Sequence, residues 1–304
     1  MKHGKEPALG LALGSGSARG WTHIGVIQAL EDMGVRPKVI AGTSIGALVG
    51  AVYVSGQLDA FADWVRRLTV RDVFNLMDLG FSGGMVKGEK LFGFFQDGYR
   101  NPDIESLDQR YVSVATDMHT GRESWLTRGP ILPAARASCA LPGLFSPVKF
   151  GERWMLDGGL VNPVPVSAAR ALGADVVIAV NLNAKLVGTR MSSSGRRQIA
   201  HEANAEGEAG FWRKMLTHLS SNDDEPGLFD VITASVNIMQ DRITRSRMAG
   251  DPPEITLAPL LPDLAFLDFH RADEAIAEGR RLVEEHADII HAWLGDRPAD
   301  QPAD

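Results

Sequence analysis

The sequence is poor in three features that point to well-defined classes of protein: cysteine, long apolar runs and excess positive charge. Its 304 residues include one cysteine, Cys139, which excludes an internal disulfide and a zinc site built from cysteines. No segment approaches the roughly 18 consecutive apolar residues of a membrane-spanning helix, and the short apolar run near the N-terminus is too weak for a signal peptide. We therefore expect a cytoplasmic protein in a reducing compartment.

The charge balance excludes a further class of protein. Lysine and arginine together number 31 against 38 aspartates and glutamates, so the chain has a formal net charge of -7 and no overall electrostatic footprint for nucleic acid. Apolar residues make up 44% and charged residues 23%, which is typical of a folded globular protein. The sequence shows no metal cluster. We predict a single domain over residues 1–304 with no cofactor, no metal and no nucleic-acid partner.

Short apolar runs alternate with segments of helical periodicity along most of the chain. ALGLAL at 8–13 and KVIAG at 38–42 predict buried strands, and each is followed by apolar residues at helical spacing. YVSVATDM at 111–118 alternates as a strand does, and DVVIAVNL at 175–182 predicts another buried strand. Repeated strand-helix units predict right-handed crossovers, and hence an α/β fold with a mostly parallel central sheet.

The composition changes between residues 186 and 226, where basic, serine-rich and acidic stretches follow one another. We expect this segment to leave the core, which we place at 8–182 and 227–292, and we expect a C-terminal tail at 296–304. Within the segment, residues 211–219 place their apolar side chains on one helical face. Such a helix either packs on the body of the protein or acts as a lid or a peripheral membrane contact.

The stretch AGTSIGALVG contains the pattern of a nucleophile elbow. Ser44 stands between Gly42 and Gly46, where an apolar strand meets the start of a helix. A sharp strand-to-helix turn needs small residues on both sides of the nucleophile and lifts its hydroxyl clear of the sheet. The helix N-terminus also directs backbone N–H groups to the place where an oxyanion would form. Ser44 is therefore a candidate nucleophile.

A second glycine-rich turn, GSGSARG at 14–20, follows the first predicted strand and opens a helix. It is not a P-loop, because no Gly-Lys-Ser/Thr follows it. A dinucleotide fingerprint is also excluded, because the second strand ends in the serine turn rather than in an acidic residue. A tight turn without a ligand remains one interpretation. The favoured one is a second source of oxyanion donors beside the nucleophile.

The general base that would activate Ser44 has more than one candidate. Of the eight histidines, His119 and His270 remain possible; the others lie at the terminus, in the polar segment, on a surface helix or too close to the glycine-rich loop. Asp157 is the alternative, because it ends a short strand and is followed by two glycines that let the backbone turn closely around another element. The bare residue pattern leaves this choice open.

Taken together and in this order, SGSARG, GTSIG and DGG resemble the corresponding motifs of the patatin-like phospholipases. The resemblance implies a three-layer α/β/α fold and a serine acyl hydrolase that cleaves fatty acyl esters of phospholipids or lysophospholipids. It implies a Ser-Asp dyad without histidine, with Ser44 as nucleophile and Asp157 as base. The other implied site residues are the oxyanion loop Gly16, Ser17, Ala18 and Arg19 and the turn glycines Gly42, Gly46, Gly158 and Gly159.

The glycine-rich loop departs from the family pattern. The family usually has three consecutive glycines where this chain has Ser15, Gly16 and Ser17. A serine that must adopt a positive φ there is strained. Two alternatives therefore stay open: a Ser-His-Asp esterase that uses His119 or His270, and a weakly active regulatory or acyl-ligand-binding protein on the same fold.

Overall fold

A computed structural model of the chain describes residues 7–76, 99–142, 145–184 and 228–295. The strands are β1 (Leu9–Leu13), β2 (Val39–Thr43), β3 (Arg110–Asp117), β4 (Glu123–Leu126), β5 (Val148–Phe150), β6 (Arg153–Asp157), β7 (Val176–Val180) and β8 (Ile255–Leu257). They form one mixed sheet in the order β5-β6-β3-β2-β1-β7-β8, with β4 also paired to β3.

The middle of the sheet is parallel. Strands β3, β2, β1, β7 and β8 are joined by parallel pairings. Every residue of β1, β2 and β7 is buried, which explains their continuous apolar sequences, because strands covered on both faces have no solvent side. The pairs β3–β4, β3–β6 and β5–β6 are antiparallel. The predicted α/β fold is confirmed, and its parallel part occupies the centre of the sheet.

Helices lie on both faces of the sheet. They are α1 (Thr22–Asp32), α2 (Ile45–Val54), α3 (Leu58–Arg66), α4 (Val70–Leu76), α5 (Ile131–Ser138), α6 (Val166–Ala171), α7 (Leu228–Gly250), α8 (Ala272–Glu285) and α9 (Ala287–Leu294). Successive residues of β1 face opposite cores: Leu11 and Leu13 belong to the core formed with α1 and α2, and Ala12 to the core formed with α6. This is the three-layer arrangement that the family resemblance implies.

Strands β2 and β6 pair with different parts of the long strand β3, and their ends meet beside it. β2 pairs with the beginning of β3, so that Thr43 lies opposite Val114. β6 pairs with the end of β3, so that Asp157 lies opposite Ala115. Because β4 occupies the other edge of β3 over these residues, β2 and β6 share one edge and meet end to end. The last residues of two strands that are distant in the sequence are thereby brought together.

Some of the predictions concern residues that lie outside the described part of the chain. The polar segment 186–226, its helix at 211–219 and the tail at 296–304 are among them. Their roles as lid, packing helix or membrane contact stay predictions, as do the single domain and the cytoplasmic location. Across the four described ranges, no helix combines the length and the apolarity needed to cross a bilayer.

Helices α1 and α8 cross where each carries a glycine. A Cβ atom at Gly25 would lie 1.9 Å from the carbonyl oxygen of Ile276, and one at Gly279 would lie 2.2 Å from that of Thr22. Contacts this short leave no room for any side chain between the two backbones. The crossing fixes the beginning of α1, which directly follows the glycine-rich loop.

We expect Gly25→Ala and Gly279→Ala each to lower the free energy of unfolding by about 2 kcal/mol, because the added methyl must push the two helices apart. Gly250→Ala is the control: it lies at the end of α7 with no atom within 4 Å of the added Cβ. It should leave stability unchanged or raise it by up to about 1 kcal/mol. Urea unfolding of the three variants measures this, and equal stability of all three would contradict the proposed close contact.

Candidate active site

Ser44 occupies a strained turn between β2 and α2. Its φ of 56° and ψ of -126° lie in a region that non-glycine residues rarely adopt. The glycines on either side are required by space: a Cβ at Gly42 would lie 2.4 Å from the Cα of Ala47, and one at Gly46 would lie 2.1 Å from the carbonyl oxygen of Leu13. The local sequence GTSIG thus folds as the elbow that its pattern predicts.

Asp157 lies against the Ser44 hydroxyl, 113 residues away in the sequence. Ser44 Oγ donates to Asp157 Oδ2 at 2.6 Å, and the Gly159 N–H donates to Oδ1 at 2.7 Å. The aspartate is fully buried. Burial raises the pKa of its carboxyl to about 6, although the hydrogen bonds from Ser44 and Gly159 act in the opposite direction. A carboxylate in this state is a stronger base than an exposed one.

The two glycines after Asp157 allow the chain to turn under β3. A Cβ at Gly158 would lie 2.1 Å from the carbonyl oxygen of Val114, and one at Gly159 would lie 2.4 Å from Gln240 Nε2. Backbone therefore blocks a side chain at Gly158, and a side chain at Gly159 would displace the Gln240 amide. The sequence DGG combines an acidic group with the freedom to pass between β3 and α7.

The end of α5 holds both members of the Ser44–Asp157 pair. Ser44 donates its N–H to Ser138 Oγ at 2.8 Å, and the Ser138 hydroxyl donates to the Val114 carbonyl. Two residues later, the Ala140 carbonyl accepts the Asp157 N–H at 2.9 Å. No sequence motif marks Ser138; the available signal was a serine followed by the Gly/Pro-containing sequence CALPG.

In the glycine-rich loop beside the elbow, one serine adopts a backbone conformation that is energetically unfavourable for any residue other than glycine. Ser17 has a φ of 52°, so this L-residue sits in the left-handed region where the family has glycine. The Ser15 N–H donates to the Pro163 carbonyl at 2.8 Å, and the Ala18 N–H donates to the Phe266 carbonyl at 3.2 Å. The amides of Gly16 and Ser17 precede the first intrahelical bond of the 3-10 helix Ser17–Trp21, so the helix itself does not use them.

Two buried basic side chains support this loop from behind. His23 is fully buried, and its Nε2 lies 2.8 Å from the Gly14 carbonyl, so Nε2 carries the proton and donates it. Burial lowers the pKa of His23 to about 4, although the bond to Gly14 acts in the opposite direction, and the ring is neutral at physiological pH. Burial also lowers the pKa of Arg19, to about 10, which leaves it charged, and its Nε donates to the Gly16 carbonyl at 3.4 Å.

The structure does not bring the two candidate histidines to Ser44. His119 lies exposed in the turn after β3, where its backbone N–H donates to Asp117 Oδ1. His270 is half-buried just before α8. Within the described ranges, neither ring forms a hydrogen bond with the Ser44 hydroxyl, whose acceptor is Asp157.

A largely apolar pocket opens at Ser44. It encloses about 810 Å³ including its open mouth. Its apolar wall includes Trp21, Leu48, Leu68, Leu141, Phe145 and Phe269. The sequence predicts SCALPGLFSPV at 138–148 as pocket wall and GFSGGMVKGEKLFGFF at 80–95 as part of an acyl channel. Leu141, Phe145 and Cys139 come from the first segment, and the second lies outside the described residues. In the described part of the chain, no group of three or more His, Cys, Asp or Glu side chains could hold a metal ion.

One family model and one relative above 30% identity assign this chain to a family. A family model described as patatin-like phospholipase matches residues 11–170. An uncharacterized NTE family protein of Mycobacterium tuberculosis is 33% identical over 333 residues, covering 94% of this chain and 92% of the relative. Lysophospholipase NTE1 of Coccidioides immitis is 28% identical over 300 residues, covering 93% of this chain and 18% of that protein. The crystal structure of VipD from Legionella pneumophila aligns with a TM-score of 0.47 at 12% identity, covering 96% of this chain and 77% of that one. The range matched by the family model contains Ser44, Asp157 and the glycine-rich loop.

The strain at Ser17 leads to a stability prediction. We expect Ser17→Gly to raise the free energy of unfolding by about 1 kcal/mol, because glycine adopts the left-handed conformation without the steric cost that serine carries. Ser106→Gly is the control, since Ser106 lies in a 3-10 helix without a positive φ and should lose about 0.5–1 kcal/mol. Thermal and urea unfolding measure both, and a destabilised Ser17→Gly variant would contradict the strain.

Proposed function

Since the chain belongs to the patatin-like phospholipase family and is a lipid acyl hydrolase, we propose that it cleaves fatty acyl esters of phospholipids or lysophospholipids through an acyl-Ser44 intermediate. The proposal gives Ser44 the role of nucleophile and Asp157 the role of general base. The observation that supports it most directly is the 2.6 Å hydrogen bond between Ser44 Oγ and Asp157 Oδ2 at the end of an apolar pocket.

In the first half-reaction, the Asp157 carboxylate accepts the Ser44 proton while Oγ attacks the ester carbonyl carbon. The carbonyl oxygen becomes an oxyanion, and the proposal assigns its stabilisation to the Gly16 and Ser17 amides of the loop. When the tetrahedral intermediate collapses, the bond to the alcohol oxygen breaks and Asp157 returns its proton to the departing alcohol. The products of this step are the free alcohol and the acyl ester of Ser44.

In the second half-reaction, water replaces the alcohol. Asp157 accepts a proton from the water, whose oxygen attacks the acyl carbon and forms a second tetrahedral intermediate. Its collapse breaks the bond to Ser44 Oγ, which regains the proton from Asp157 and releases the fatty acid. One carboxyl group therefore acts as base and acid in turn, which requires a pKa close to the working pH.

The shape and polarity of the pocket support a fatty acyl substrate. Apolar side chains from the 3-10 helix, α2 and the segment after α5 surround the space beside Ser44. A hydrocarbon chain placed there gains about 0.8 kcal/mol for each buried methylene group, and the pocket offers little to a polar acid. We infer that the acyl chain occupies this pocket and that the alcohol half lies on the side of Asp157.

We expect Ser44→Ala and Asp157→Asn each to lower kcat on a short-chain nitrophenyl ester by about 10³-fold or more, because the two groups act as one unit. The double variant should be no slower than either single one, and a fluorophosphonate should label Ser44 of the wild-type protein. Ser55→Ala is the control, since its buried hydroxyl donates to the Ala51 carbonyl away from the pocket.

Three outcomes would count against the proposal. Appreciable turnover by either well-folded dyad variant would exclude the Ser-Asp pair. Loss of activity in His270→Ala or His119→Ala, with retention in Asp157→Asn, would favour the histidine mechanism. Binding of fatty acid without turnover or fluorophosphonate labelling would favour the acyl-ligand-binding alternative.

The raised pKa of Asp157 predicts how the activity depends on pH. The base must be ionised, so kcat/KM should fall about tenfold per pH unit as the pH decreases through about 6 and stay constant above that value. An ordinary exposed carboxylate would sustain activity to about pH 4. Steady-state kinetics between pH 4.5 and 8 measure the profile, with circular dichroism at each pH to verify folding. A plateau that extends unchanged to pH 4.5 would contradict this role.

A further inference from the structure

Two polar side chains converge on the dyad end of the otherwise apolar pocket without a role in the reaction described above. Ser15 and Gln240 both line this pocket, and each is only 4% exposed. They meet over Gly159: a Cβ atom there would lie 2.4 Å from Gln240 Nε2 and 3.1 Å from Ser15 Oγ. The missing side chain of Gly159 is therefore what lets these two groups approach the dyad.

The orientation of the Gln240 amide is set by a chain of hydrogen bonds that begins at a cation. The Arg19 guanidinium, which can only donate, bonds to Asn183 Oδ1 at 3.3 Å. Asn183 must then turn its Nδ2 to Gln240, where it donates to Oε1 at 2.8 Å. Gln240 is left with Nε2 on the side of Gly159 and the pocket. Arg19 thus determines that the pocket meets a donor rather than an acceptor.

Ser15 is held equally firmly. Its N–H donates to the Pro163 carbonyl at 2.8 Å, and its carbonyl accepts from Asn183 Nδ2 at 3.3 Å. Among the described residues, neither the Ser15 hydroxyl nor Gln240 Nε2 has a hydrogen-bond partner. Both groups line the pocket and are held in place from behind, so they are free to pair with a ligand atom that enters it.

The position of these groups selects which half of the substrate they face. The same point at Gly159 lies 2.9 Å from Asp157 Oδ1. In the reaction proposed above, Asp157 returns its proton to the departing alcohol, so the alcohol half must lie beside this carboxylate. The groups next to it therefore face the alcohol and not the acyl chain.

On the basis of the proposed function, we propose that Gln240 Nε2 and Ser15 Oγ bind an acceptor oxygen on the second carbon of the alcohol, the neighbour of the carbon that bears the scissile ester oxygen. The protein would thus select acyl esters of polyols, in which neighbouring carbons each carry an oxygen, over esters of simple alkanols. Gln240 and Ser15 are substrate-contacting residues in this proposal. Asn183 and Arg19 are positioning residues, because they act through Gln240.

The test compares two esters of the same acid that differ by one atom, 2-methoxyethyl decanoate and butyl decanoate. Each kcat/KM is divided by the rate constant of hydroxide-catalysed hydrolysis, which removes the difference in leaving-group reactivity. The wild-type protein should prefer the methoxyethyl ester by about tenfold, because a buried donor is left unpaired by the butyl ester. Gln240→Met and Gln240→Glu, which present no donor, should reduce the preference to within about twofold, because only the methoxyethyl ester has a hydrogen bond to lose.

Asn183→Asp tests the orientation chain separately. A carboxylate at this position cannot donate, so Gln240 should reverse its amide and present Oε1 to the pocket. The preference should disappear although Asn183 does not line the pocket. Thr244→Val is the matched control: Thr244 lies one turn from Gln240 on α7, is buried and has an unpaired hydroxyl within the described structure. It should keep the wild-type preference.

Thermal unfolding verifies that each variant is folded before its kinetics are compared. The inference is overturned if the wild-type protein shows no preference, if Gln240→Met keeps it, or if both esters slow equally in the Gln240 and Asn183 variants. These results are distinct from failure of the proposed function, in which turnover of both esters would survive in Ser44→Ala.

Discussion

The pairing of β6 with the end of β3 is the constraint on which the rest of the site depends. A hydrogen bond of 2.6 Å between two side chains 113 residues apart requires the backbones that carry them to stop within a narrow distance of each other. β2 ends opposite Val114 and β6 ends opposite Ala115, so the ends of these two strands lie one residue apart along β3. A slip of one residue in the β6–β3 register would turn Asp157 to the opposite face of the sheet. The end of α5 reinforces the same geometry, because Ser138 and Ala140 hold the two backbones from outside the sheet.

Burial of the site imposes opposite electrostatic costs on two groups. Burying ionised Asp157 lowers stability above about pH 6 and not below about pH 4, because its folded pKa is raised. Burying neutral His23 lowers stability below about pH 4 and not above about 6.5, because its folded pKa is depressed. Each contribution amounts to about 3 kcal/mol, and between these limits they change in opposite directions. At neutral pH the remaining cost is that of the carboxylate, which is the group that the proposed reaction needs in its charged form.

The parts of the site that could be predicted from the sequence are those built from local patterns. GTSIG predicts the elbow because the turn needs small residues at fixed positions. The buried strands can be predicted because each is a continuous apolar run in the sequence. The pairing of Ser44 with Asp157 came from the family resemblance, since strand register across 113 residues has no local signature. Ser138, Asn183 and Gln240 were not singled out, because their roles depend on which elements pack together. The antiparallel pairing at the edge of the sheet could not be predicted either, because its short strands are only half-buried and have no continuous apolar sequence.

Arg19 shows how a motif residue can act through its side chain as well as its backbone. Within the described ranges, no carboxylate lies within ion-pair distance of this buried guanidinium; its acceptors are Gly16, Asn183 and Asn237. A buried charge is costly when, as among the described residues, all its partners are neutral, so these contacts alone do not explain it. A guanidinium can only donate hydrogen bonds, however, so every Asn or Gln amide that it contacts must present its oxygen. The contact thus selects one of the two orientations of that amide. The polarity at the dyad end of the pocket then follows from a cation that itself lies outside the pocket wall, and a neutral residue at this position would leave the Gln240 amide free to turn either way.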